Sequence, residues 1–298
     1  MTKKTKADLA LVAVTVGWGA SFIFTKEAVN QIEVFNFLAI RFFIGFLLAA
    51  IVFYKKMLKI NKKGILYGSI LGCVLFSAFA VQTIGIQYTS VSNSAFITGL
   101  SVVLVPILLA LINKKLPSKK IFICSLMAVS GLAMLTLNNG ITGINIGDLL
   151  TLASTLGFAT HIITVAKLAN MEEPLSMAIV QIGVVALLSM LASFMFETPT
   201  LPTTLPLWLN ISALGLVCTA GAFITQNIAQ KYTSASHTAL IYTLEPVFAA
   251  VAGYFILNEL LSGIALFGAI LIVSGMLLAE VDIKSIFNSK KPKSVLAK

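Results

Sequence analysis

The chain has 298 residues, 58% of them hydrophobic and only 11% charged, with a formal net charge of +10 and a mean hydropathy of +0.98. A soluble domain of this size would need far more polar surface, so a multi-span membrane protein is the expected class. The positive charge does not point to nucleic acid, because the basic residues fall in short clusters between apolar runs.

At about 20 apolar residues per crossing, the first half predicts helices near 8–29, 34–54, 64–87, 94–113 and 119–137. The second half predicts helices near 146–167, 175–195, 206–229, 236–257 and 262–280. The opening segment MTKKTKADLALVAVTVGWGAS imitates a secretory signal, but further spans follow at once, so it reads as an uncleaved first helix. The connections are short and leave no room for a soluble domain. Cys73, Cys124 and Cys218 each lie within an apolar run and form no C-x-x-C pair, which suits small buried hydrophobes.

Lysines set the expected orientation. Lys3, Lys4 and Lys6 precede helix 1, Lys55 to Lys63 follow helix 2, and Lys114 to Lys120 follow helix 4. Lys167, Lys231 and the tail lysines fall on the same side, against Lys26 alone on the other. The positive-inside rule then puts both termini in the cytoplasm of a multi-pass protein of the plasma membrane.

Shifting the sequence by 144 residues aligns AFAVQTIGIQYTSVSNSAFITGL (78–100) with AFITQNIAQKYTSASHTALIYTL (222–244), without a gap as far as Gly131 and Gly275. Five helices per copy is an odd number, so the second copy must enter the membrane inverted. The charges agree, since NKKLPSKK (113–120) has four lysines and its counterpart LNELLSGI (257–264) has none. The expected fold is thus an all-α integral membrane protein of ten transmembrane helices, built as two inverted five-helix repeats around a central cavity. The repeats take 1–140 and 141–282, and a basic cytoplasmic tail takes 283–298.

Polar residues inside the spans are the candidate site. Thr238, Tyr242 and Glu245 share one face of helix 9, and Ser94, Thr98 and Ser101 repeat the spacing in helix 4. Glu245 falls about 14 Å into its span at ~1.5 Å per residue, where a carboxylate is either functional or hydrogen-bonded to a neighbouring helix. Pro246 deprives the Tyr242 carbonyl of its helical partner and disfavours helical geometry at Glu245, and Pro106 is its loose counterpart in helix 4. Helix 1 presents Trp18, Ser21 and Thr25 beside the small residues Gly17, Gly19 and Ala20. Gln82 and Gln226 occupy matching positions that bind substrate or staple helices. His161 reads as a satisfied structural histidine or a cavity group, and His237 as interfacial. Arg41 is too deep for a loop charge; Glu245, Glu33 and a substrate carboxylate are all open as its partner. Asp148 suits the dipole at the start of helix 6, and Lys26, Glu27 and Glu33 are expected at the external rim.

The segments WGASFIFTK (18–26), AIRFF (39–43), INIGDLLTLASTLGFATHII (144–163) and the whole of 232–280 resemble the ten-helix type of the EamA family of the drug/metabolite transporter superfamily. The resemblance implies a central cavity, alternating access and export of amino acids, metabolites or drugs. The family's helix-9 Glu-Pro falls on Glu245 and Pro246, its loop glutamate on Glu259 and its helix-1 tryptophan on Trp18. Many members have tryptophan where this chain has Phe158, so helix-6 cavity contacts do not carry over from relatives.

The resulting expectation is a secondary transporter, not an enzyme, exporting amino acids or related small metabolites. Trp18, Ser21, Gln82, Thr98, His161, Gln226 and Tyr242 are the substrate-contact candidates, and Glu245, Pro246 and Arg41 the candidates for coupling or mechanism. Export of hydrophobic cations is the alternative; small relatives use a membrane glutamate in helix 1 for this, and Glu245 would have to stand in for it. A membrane transferase would need Asp-rich or His/Asp constellations that the sequence lacks. Partners are a small-molecule substrate and the bilayer, without nucleic acid, metal or cofactor. Proton coupling through Glu245 is open, as is the choice between monomer and homodimer.

Overall fold

The computed structural model describes residues 1–136, 145–257 and 262–280. Glu259, the expected repeat boundary near residue 140 and the basic tail lie outside the described residues. The helices are α1 (Lys3–Val29), α2 (Val34–Val52), α3 (Lys62–Tyr88), α4 (Val91–Asn113) and α5 (Lys119–Thr136), then α6 (Ile146–Leu168), α7 (Pro174–Phe196), α8 (Leu205–Ala229), α9 (Ala235–Ile256) and α10 (Gly263–Glu280). A single turn at Tyr54–Met57 follows α2. By length and composition α1–α4 and α6–α9 can cross a membrane, and Gly263–Ala279 of α10 is a shorter apolar helix. The lipid-facing surface is apolar: Leu111, Phe194 and Phe255 are each at least 70% exposed. Water would not tolerate such a face, whereas hydrocarbon does.

Capping residues start the helices where the apolar runs begin. Thr2, Asn61, Ser90, Thr204 and Ser234 each accept a hydrogen bond from a backbone N–H three residues on. At α6, Asn145 and Asp148 cap each other reciprocally. Asp148 also accepts a 2.6 Å hydrogen bond from Thr89 Oγ1 at the end of α3, so the carboxylate ties two helices as well as capping one.

Cross-helix contacts give the bundle two ends. At the near end, which holds the N-terminus, Asp8 of α1 lies 3.6 Å from His237 of α9, and Lys56 pairs with Glu173 at the start of α7. At the far end, Lys26 of α1 donates to the carbonyls of Ile86, Gln87 and Thr89 at the C-terminus of α3. Lys26 therefore binds the C-terminal carbonyls of α3 at the far end of the bundle. His237 is buried, not interfacial, because its N-terminal helix turn is packed onto α1. Cys124 and Cys218 are buried as expected, while Cys73 faces outward.

Three helices are irregular where the sequence suggested at most two breaks. α9 is interrupted at Thr243, whose N–H and hydroxyl both turn back to the Leu240 carbonyl. Glu245 itself is helical, so the break falls before the residue that Pro246 was expected to disturb. α4 is interrupted at Leu100, and Pro106 sits inside the following helical piece. The Val102 carbonyl one turn before Pro106 accepts from Ser125 of α5 at 3.2 Å. Pro106 thus serves packing between α4 and α5, not the break. The third irregularity is in α8, where Leu214–Gly221 widens to π-helical hydrogen bonding.

Candidate functional site: a polar cavity at the centre of the bundle

Close helix crossings place the site. A Cβ on Gly19 of α1 would come within 2.7 Å of the Glu245 carbonyl and the Ala249 N–H, so α1 presses directly on the backbone of α9. A Cβ on Gly215 of α8 would meet the Arg41 carbonyl at 2.7 Å, which brings α2 equally close to α8. Between these pairs lies a cavity with about 740 Å³ of atom-free space, part of it continuous with solvent.

Trp18, Ser21, Arg41, Gln82 and Thr98 all line this cavity. So do His161, Gln226, Tyr242 and Glu245, together with Thr25 and Ser101. Pro246 does not; it packs beside Gly99 of α4. Ser94 and Thr238, the outer members of the two polar stripes, are buried away from the cavity.

The π-helical segment of α8 positions two of these groups. Widening the helix turns the Cys218 carbonyl toward α1, where it accepts Trp18 Nε1–H at 2.9 Å. One residue on, Thr219 Oγ1 accepts Arg41 Nε–H at 2.9 Å. π-helical insertions occur frequently at functional sites because they redirect backbone groups in this way. The Arg41 guanidinium also lies over the rings of Phe79 and Phe42, at 5.2 and 5.7 Å to their centroids.

Arg41 and Glu245 make no ion pair with each other, and Arg41 makes none with Glu33, among the described residues. Of the three partners open to Arg41, neither protein carboxylate is paired with it in this structure. The walls carry one cationic and one carboxyl side chain, set apart. Aromatic rings line the same cavity: Trp18 meets Tyr242 edge-on at 5.1 Å and lies 5.4 Å from Phe223, while Phe79 meets Phe158 edge-on at 5.2 Å.

In the far half, Gln82 Nε2 donates to Thr98 Oγ1 at 2.9 Å. In the near half, His161 Nε2 lies 3.0 Å from Gln181 Oε1, and Gln226 Nε2 donates to Gln230 Oε1 at 2.9 Å. His161 therefore lines the cavity and has a structural partner at once, so the two readings of this residue are compatible.

The EamA-like transporter family matches the sequence twice, over residues 5–137 and 145–280. The chain belongs to this family. It is accordingly a member of the drug/metabolite transporter superfamily. An uncharacterized transporter of Archaeoglobus fulgidus is 33% identical over 94% of this chain and 88% of its own length. The uncharacterized transporter YyaM of Bacillus subtilis is 23% identical over 96% of this chain and 98% of its own. A solved crystal structure shares the fold, with a TM-score of 0.77 at 18% identity, covering 95% of this chain and 99% of that one.

Several EamA cavity residues of this chain were not singled out in the sequence. Phe79 and Phe223 could have been, because they are an identical pair in the repeat. Gln230 stands one turn beyond Gln226 and could have been found by that i, i+4 spacing. Thr219 acts from behind the wall, brought into reach of Arg41 by the π-helical turn.

Proposed function

We propose that this EamA-family transporter exports amino acids or related small metabolites across the cytoplasmic membrane by alternating access, as two inverted five-helix repeats with both termini cytoplasmic. Arg41 is the observation that carries the substrate class. A guanidinium 2% exposed, with no anionic partner among the described residues, is expensive to hold within a membrane span. A substrate carboxylate is the remaining partner, and it would arrive and leave with each transport cycle. The separate carboxyl of Glu245 and the aromatic walls favour a substrate that also carries a cationic group. The double family match and the charge difference between the repeat-related loops support the inverted arrangement.

Export of hydrophobic cations fits the aromatic walls and Glu245, but would place a second cation beside Arg41. Glu245 is the candidate coupling group under either reading.

The test is counterflow in proteoliposomes preloaded with unlabelled amino acid, using labelled leucine, phenylalanine and threonine in turn. Accumulation above protein-free vesicles is expected for at least one of them. Absence of counterflow for all three, with accumulation of a labelled hydrophobic cation instead, would move the assignment to the alternative.

A further inference from the structure

A row of amides behind the near half of the cavity has a defined direction. Gln230 Nε2 lies 3.0 Å from the Ile162 carbonyl, which can only accept, so the nitrogen of that amide must face α6. Gln230 Oε1 then faces Gln226 and accepts its Nε2–H at 2.9 Å. Both donors of contact are thereby assigned, and the Gln226 atom left over is Oε1, which can only accept.

That oxygen has no partner. Among the buried polar atoms of the described residues that lack a hydrogen bond, only Gln226 Oε1 and Tyr242 Oη belong to residues lining the central cavity. Gln226 is 1% exposed and Tyr242 5%. Buried polar groups are almost always hydrogen-bonded, and two orphans on one cavity wall call for a ligand that satisfies them.

The repeat sharpens the contrast. Gln82 and Thr98 stand at the positions that Gln226 and Tyr242 hold in the second copy, and they bond each other. Ile86 stands where Gln230 does, so the first copy has no amide to orient Gln82. In the first copy the amide bonds the hydroxyl across from it, while in the second the amide oxygen is held by a neighbouring amide and left without a partner.

We propose that Gln226 Oε1 and Tyr242 Oη form the end of the substrate site that receives a primary ammonium group, with Gln230 the positioning residue that fixes the acceptor. This rests on the amino-acid reading above and adds the opposite end of the substrate to the one assigned to Arg41. An acceptor oxygen requires a donor, and the rings of Trp18 and Phe223 beside Tyr242 favour a cationic one. Arg41 on α2, held by Thr219 of α8, lies toward the far half, and Gln226 two turns further along α8 with Tyr242 of α9 toward the near half, so α8 spans both ends of the site.

The experiment measures binding to the purified full-length protein in detergent, by calorimetry. The probes are leucine, phenylalanine and threonine, each beside its 2-oxo acid and its N,N,N-trimethyl derivative. The oxo acid removes the ammonium, and the trimethyl derivative keeps its charge but removes every N–H. At least one parent should bind about tenfold or more tightly than both of its derivatives, the effect of a charged hydrogen bond. Gln226→Leu and Gln230→Leu should erase that preference while binding the oxo acid as the wild type does, which a merely unfolded variant cannot do. The proposal is overturned if the trimethyl derivative binds as tightly as the parent, if Gln230→Leu keeps the full preference, or if no probe binds. Preferential binding without any flux would count against the exporter reading and in favour of this one.

Discussion

Replacing Thr219 with valine tests how Arg41 is held. The change removes the hydroxyl that accepts Arg41 Nε–H at 2.9 Å, within a site where the arginine is 2% exposed. Valine is nearly isosteric, and the methyl that packs toward Gly45 is kept. What is lost is one hydrogen bond to a charged group, worth about 1.5–3 kcal/mol when the donor is left buried. Thr219→Ser makes the opposite trade, keeping the hydroxyl and removing a methyl worth about 0.8 kcal/mol. Reversible unfolding in mixed micelles should therefore rank valine below serine, with serine below the wild type. A packing role alone ranks them the other way, because serine leaves the larger void. Counterflow adds an independent reading: an Arg41 free to rotate should raise the KM for any carboxylate substrate by about tenfold or more. Valine more stable than serine, with an unchanged KM, would refute the role given to Thr219.

Gly19→Ala would place a Cβ within 2.7 Å of two backbone atoms of α9. The separation of α1 from α9 that follows should cost about 1–3 kcal/mol in the same unfolding assay. Glu245→Gln should remove the dependence of counterflow on an imposed pH gradient while leaving exchange at equal pH; an unchanged dependence would exclude Glu245 from coupling. At the near end, the Lys56 ammonium holds the Glu173 carboxyl below its ordinary range, with Ser176 and the charge of Lys231 acting the same way and partial burial opposing them. A carboxylate depressed in the folded state contributes stability above its unfolded pKa and loses it as pH falls through the folded value. Glu173→Gln should thus be less stable than the wild type near pH 7, and the gap should close only as pH falls below the ordinary glutamate range and through the depressed folded value. Both partners are substantially exposed, so the gap should not exceed about 1 kcal/mol.

The helices were legible because twenty-residue apolar runs have few alternatives in a bilayer. The cavity residues were legible for the same reason, since Arg41, Gln82, His161, Gln226 and Glu245 are costly in hydrocarbon and must face inward. Legibility ended at the backbone. No residue in LGLVCTAG announces a π-helical turn, yet that turn aims the Cys218 carbonyl and the Thr219 hydroxyl at α1 and α2. Pro246 pointed to a break in α9, but the chain turns at Thr243, where a hydroxyl can return to the Leu240 carbonyl. His237 looked interfacial from its place near a helix start, and only the packing of α9 on α1 shows it facing Asp8.

The repeat explains why specificity is hard to read from the family. A shift of 144 residues pairs Gln82 with Gln226, and Phe79 with Phe223, in identical positions. Phe79 and Phe223 build a frame that is alike on both sides of the cavity and cannot tell one end of a substrate from the other, while Gln226 differs from Gln82 through the Gln230 behind it. The unlike pairs can: Thr98 with Tyr242, Ser101 with Glu245, and Ile86 with Gln230. In each, the second copy carries the larger or more polar group, and each difference falls in or directly behind the second copy's part of the wall. A duplicated bundle needs such departures to hold a molecule whose two ends differ, because a symmetric wall would bind either end equally. Exchanging one unlike pair should therefore alter ligand choice more than removing a member of the like aromatic pair, even where the aromatic pair matters more to stability. Tyr242→Thr against Phe223→Leu is the direct comparison. The first should change the ranking among amino-acid ligands with a small loss of stability, and the second should lower stability by about 1 kcal/mol or more and leave the ranking intact. The reverse pattern would mean that ligand choice resides in the common frame.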